Sequence, residues 1–164
     1  MAQSLIHQRR RTDNTWVIAS EPSVDLAGQD VLVPLKVWKS HHTEWLKYAG
    51  RLGVLLEPNE DPAEVASELA QFTLIAVNFP VFTDGRGYSI GRLLRERYGY
   101  TGELRAVGDI MQDQLFYLSR VGFDAFLLRA DQSVEGAITA LDSFSEAYQA
   151  SVERPDPLFR RRLG

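Results

Sequence analysis

Three features of the sequence predict an α/β fold built on a mostly parallel sheet. Apolar runs recur at Gly53 to Leu56, Leu74 to Phe79, Leu104 to Val107 and Ala125 to Leu128. Each run is nearly continuous, as suits a strand buried on both faces, instead of polar at every second residue. A helix-length amphipathic segment follows each one, and strand, helix, strand in this order implies right-handed crossovers between parallel neighbours. About five such units are expected, laid out as an open three-layer sandwich; the alternative is half of a β/α barrel, whose apolar edge would make the protein a homo-oligomer.

The chain has 164 residues, 45% of them hydrophobic and 24% charged, which suits one domain with a single core. That domain is expected over 15–150, between a mobile N-terminal arm at 1–14 and a C-terminal tail at 151–164. The arm carries Arg9, Arg10 and Arg11 without the apolar stretch of a secretory signal. The tail carries Pro155 and Pro157 and has no helical period. Ahead of the four clear units, Val31 to Val37 followed by His42 to Ala49 supplies a fifth, although Pro34 argues against a central strand. Trp16 to Ala19 would pair with it at an edge.

The helix boundaries are marked in order. In Asp61-Pro62-Ala63-Glu64, Asp61 can accept from the Glu64 amide, Pro62 suits the first helical position and Glu64 can reach back to the cap, with Val65, Leu69 and Phe72 as the buried stripe. From Tyr88 to Tyr98, Ile90, Leu93, Leu94 and Tyr98 share one side and Gly99 ends the helix. A third helix starts near Asp109, buries Met111, Leu115 and Leu118, and stops at Gly122. A fourth buries Val134, Ile138, Leu141, Phe144 and Tyr148. Asp109 before Gln112, and Asp131 before Ser133 and Val134, both read as helix caps.

Composition removes several functions. A net charge of -4 and a pI near 5.4 leave no electrostatic footprint for nucleic acid. Cysteine is absent, which removes disulfides, thiolate nucleophiles, thiolate zinc sites and the usual ligation of iron-sulfur clusters. His41 and His42 are adjacent and would point to different helix faces, and His7 is remote, so no metal site is expected. Ser89 lacks a nucleophile elbow, which disfavours a hydrolase. No apolar run reaches bilayer length, so the expected location is the cytoplasm, with no membrane partner.

The stretch FTDGRGYSIG, residues 82–91, lies between a strand and a helix, where many folds hold phosphate. Its spacing, Gly85-x-Gly87-x-x-x-Gly91, misses the dinucleotide fingerprint, and no lysine follows as a phosphate loop requires. Asp84 repels an anion that Arg86 attracts, so the pair is expected to order the loop. All strand carboxyl ends of a parallel sheet open on one edge, where ligands bind. That edge would carry Asn78, Asp84, Arg86, Asp109, Arg129 and Asp131, a set able to orient a small anionic ligand or a protein partner. No nucleophile, base or metal set emerges, so no catalytic residue is assigned and no cofactor is named.

The run from Asn78 to Gln132 resembles the characteristic block of an uncharacterised bacterial family, the domain of unknown function 934 family. FTDGRGYS, GELRAVGD, DQLFYL and GFDAFLLR occur in the family's order, and a looser likeness extends upstream through GVLLEPNEDPAEVASELA. Members are commonly labelled probable oxidoreductases involved in sulfite reduction, from gene neighbourhood with assimilatory sulfite reductase. The resemblance implies two readings. One is an accessory factor that binds the reductase or a cofactor on its way to it; the other is a small oxidoreductase or other enzyme acting on an anionic metabolite. A chain without cysteine is not itself a sirohaem and iron-sulfur reductase.

Overall fold

A computed structural model describes residues 4–81 and 83–142. The segment read from sequence as an N-terminal arm forms a hairpin: β1 (Ser4–His7) and β2 (Arg10–Thr12) pair antiparallel around Gln8 and Arg9, both at positive φ. Alternation in Ser4-Leu5-Ile6-His7 is too short to separate from an arm by pattern alone. What orders it is β8, against which β1 pairs antiparallel while burying Leu5 and Ile6. The expected C-terminal tail, and the expected buried Phe144 and Tyr148, lie outside the described residues.

The main body runs β3 (Trp16–Ile18), β4 (Asp30–Pro34), α1 (Leu35–Ser40), α2 (His42–Leu46) and β5 (Leu52–Leu56). A 3-10 segment (Pro62–Gln71), β6 (Leu74–Phe79) and α3 (Arg86–Arg92) follow. Then come β7 (Glu103–Gly108), α4 (Leu115–Arg120), β8 (Ala125–Leu128) and α5 (Val134–Asp142). Strands β3 to β8 are parallel and lie side by side in chain order, with β1 and β2 extending the sheet beyond β8. The sheet is therefore mixed and larger than the five units expected. Pro34 is compatible with an internal strand because it is the last residue of β4, where the chain turns into α1.

Sequential order also corrects the three-layer expectation. Right-handed crossovers that always step in one direction leave every helix on the same face. Val33, Val54, Ile75, Val77, Leu104 and Phe126 accordingly share one core with Trp38, Trp45, Ile90, Leu94, Leu115 and Ala137. The alternating residues Leu32, Leu74 and Ala76 form a second, smaller core with Trp16, Leu55 and Val107 and no helix.

The sheet is strongly curled, giving the half-barrel alternative. Strands β2 and β3 occupy opposite edges of the eight-stranded sheet, yet only Asp13, Asn14 and Thr15 connect them. A flat sheet would hold its edges roughly 34 Å apart, at about 4.8 Å per step. Four Cα steps span at most about 15 Å. The sheet must bend for its edges to meet. Inside the curl, Arg105 is 2% exposed and donates to Glu103 at 2.8 Å and to Asn14 Oδ1 at 3.0 Å, so the short connection reaches the opposite wall.

Candidate functional site

The parallel strands end on one edge, and their register fixes which residues meet there. Leu56 pairs with Val77, so Glu57, the next residue, stands beside Asn78, and the Asn78 amide donates to its carboxylate at 2.8 Å. Phe79 pairs with Gly108 at the end of β7. Gly108 has φ +99, a region that favours glycine, and a Cβ there would press on Asn78 Oδ1 and the Phe79 carbonyl. This turn leaves the Asp109 amide donating to the Phe79 carbonyl at 2.7 Å.

Asp109 is not a helix cap, contrary to expectation. The following 3-10 turn begins only at Gln112, with Met111 as the preceding residue, and the Asp109 carboxylate accepts from Arg129 Nη1 at 2.8 Å. Asp131 is likewise engaged elsewhere: it accepts from Arg129 Nε at 3.1 Å and Nη2 at 3.0 Å. Ser133 Oγ caps α5 by accepting from the Gly136 amide. Arg129 thus bridges two carboxylates, and its hydrogen bond to Asp109, with the charge of Asp131, raises its pKa further above the usual arginine range.

Asp84 and Arg86 form a separate, local pair. The Asp84 carboxylate accepts from Arg86 Nε at 3.0 Å, Nη2 at 2.8 Å and the Arg86 amide at 3.1 Å, closing the loop on itself. Those bonds, from the side chain first and the backbone second, hold the Asp84 carboxyl below the usual carboxylate range. The glycines that suggested a phosphate cradle serve packing. A Cβ on Gly87 would overlap the Phe79 ring, and one on Gly91 the Phe123 ring, so the two let α3 lie close on the sheet. Arg86 remains exposed beside a shallow depression shared with Asn59, Asp61 and Ser89.

The structure therefore gathers the six expected residues into three groups: Asn78 with Glu57, Asp109 and Asp131 with Arg129, and Asp84 with Arg86. The first two groups follow one another across the ends of β5, β6, β7 and β8. Glu57 was missed, although it follows GVLL as Asn78 follows LIAV and had the same claim to the edge. Among the described residues, no group of three or more histidines and carboxylates could hold a metal, and no helix is long and apolar enough to cross a membrane.

A family model described as "Bacterial protein of unknown function (DUF934)" matches residues 53–159. The match begins within β5 and takes in every residue of the edge just described. The comparison with curated proteins finds no match.

Proposed function

The chain belongs to the DUF934 family of bacterial proteins, and from that membership we propose that it is an accessory factor in assimilatory sulfite reduction, recognising its partner through the strand carboxyl edge. The observation that carries this reading is the contiguous row of Glu57, Asn78, Asp109, Arg129 and Asp131 across four neighbouring strand ends. In β/α folds this edge is where binding residues collect, since the loops beyond it vary without disturbing the core.

Charge pairing favours one of the two kinds of occupant. Arg129 is shared between two aspartates, and Arg86 is held by Asp84. A small anion would have to displace carboxylates that already fill these guanidinium groups, whereas a protein surface of mixed charge can pair with both signs. The reductase itself is the better fit for the edge, and cytoplasmic assembly with it follows from the same reading.

Arg86 tests it. Its side chain is exposed, and exposed ion pairs contribute little to folding. Arg86→Ala is expected to leave the denaturation midpoint nearly unchanged while weakening co-purification with sulfite reductase and reducing rescue of a gene-deletion strain on sulfate. A stable Arg86→Ala protein that co-purifies and rescues normally would remove this residue from the interface.

A further inference from the structure

On the helical face, α3 and α4 flank a groove of about 400 Å³ lined by Tyr88, Arg92, Tyr117, Arg120 and Val121. Each helix contributes one tyrosine and one arginine, a turn apart: Tyr88 and Arg92 from α3, Tyr117 and Arg120 from α4. Tyr117 is 59% exposed, and Tyr88 is anchored by a hydrogen bond between its hydroxyl and the Gln114 amide.

Arg120 differs from the other described arginines that are at least partly buried. Arg9, Arg95, Arg105 and Arg129 all have carboxylate partners, and Arg95 also donates to three backbone carbonyls. Among the described residues Arg120 has neither a hydrogen bond nor an ion pair; its guanidinium lies over the Phe116 ring at 5.6 Å, and its Nε is shut off from water without an acceptor. Unmade bonds of this kind are costly, and a guanidinium with no carboxylate beside it keeps its charge available to an incoming anion. Arg92, at the rim, is paired with Glu96 at 3.2 Å.

We propose that this groove is a binding site for a small ligand that joins a flat ring to an anionic group, with Arg120 meeting the anion and Tyr88 and Tyr117 contacting the ring. Guanidinium suits phosphate and carboxylate oxygens, while aromatic side chains beside it favour a flat ring. The volume lies within the range of small-molecule sites.

Calorimetric titration of the full chain with adenosine 5′-monophosphate, adenosine and ribose 5-phosphate separates the two halves of this chemistry. The nucleotide is expected to bind, with the ringless phosphate and the uncharged nucleoside about tenfold weaker or worse. Arg120→Gln and Tyr117→Ala are each expected to weaken nucleotide binding about tenfold. Arg86→Ala is expected to change nothing, which keeps this site distinct from the strand edge. Should Arg120→Gln unfold the protein, the exposed Tyr117 decides the matter. Absence of nucleotide binding at millimolar concentration, equal binding of ribose 5-phosphate, or binding that survives both substitutions in folded protein would overturn the proposal.

Discussion

Residue 87 has no room for even a methyl group, because the Phe79 ring occupies the position a Cβ would take, and residue 91 meets Phe123 in the same way. Gly87→Ala or Gly91→Ala must push α3 off the sheet or disturb a buried ring, at a cost of about 1–3 kcal/mol. Urea midpoints measure this; unchanged midpoints would mean that α3 moves freely outward. Asp84 offers a second residue-scale test. Its folded pKa is depressed by Arg86, so its contribution to stability is complete above the unfolded value of about 3.9 and is lost as pH falls below it through the folded value. In Arg86→Ala the carboxyl should titrate closer to that ordinary value, as followed by carbon NMR of Asp84. An unchanged titration would show that the backbone amide alone holds the depression. The two kinds of contact differ in legibility: Asp84 and Arg86 were legible as a loop-ordering pair from their spacing, but Phe79 and Phe123 became neighbours of the glycines only through the fold.

Among the elements, α3 shows how far periodicity reaches. Buried Ile90 in α3 and Leu94 just beyond it were legible from spacing, and the helical stretch stops before Gly99 as expected, but the turn that follows α3, Leu93–Arg97, widens to π geometry. The segment after Asp61 departs further. It is a 3-10 helix kinked at Glu68, and Asp61 accepts from the Ala63 amide at 2.9 Å where the Glu64 amide was expected. Glu64 reaches Lys39 at 3.3 Å instead of folding back to the cap. Val65 and Phe72 are buried and Leu69 is partly buried against the same core, so the apolar stripe was legible while the helix type was set by tertiary packing. Asp61→Ala removes a cap bond from this segment and is expected to destabilise the protein by about 1 kcal/mol or slightly less. A denaturant midpoint equal to that of the unmodified protein would show that the Pro62 start suffices.

For the whole molecule, the decisive information lay in residues too short or too charged to stand out. Parallel topology followed from the buried runs, but choosing a curled sheet required strand order, which no run of residues encodes. The short connection at 13–15 carries that information only once β2 and β3 are known to be edges. Arg105 lies inside a strand, where a charge breaks the apolar run, yet Glu103 at 2.7 Å and Asn14 satisfy it inside the curl. Arg105→Ala should leave Glu103 with only His7, at 3.4 Å, and lower stability by about 3 kcal/mol, read from equilibrium unfolding. A loss below about 1 kcal/mol would indicate that water reaches Glu103 freely.

The strand edge was legible at the same scale, because a parallel sheet brings its carboxyl ends together whatever the strand order. Its internal pairings were not, since they depend on register and on the Gly108 turn. The central claim, that this edge serves sulfite reduction, is tested most directly by growth of a gene-deletion strain on sulfate, with growth on cysteine as the control. The deletion is expected to fail on sulfate, grow on cysteine, and be rescued by the unmodified protein but poorly by folded Arg129→Ala. Normal growth on sulfate without the gene would contradict the role, and full rescue by Arg129→Ala would contradict the assignment of that role to the edge.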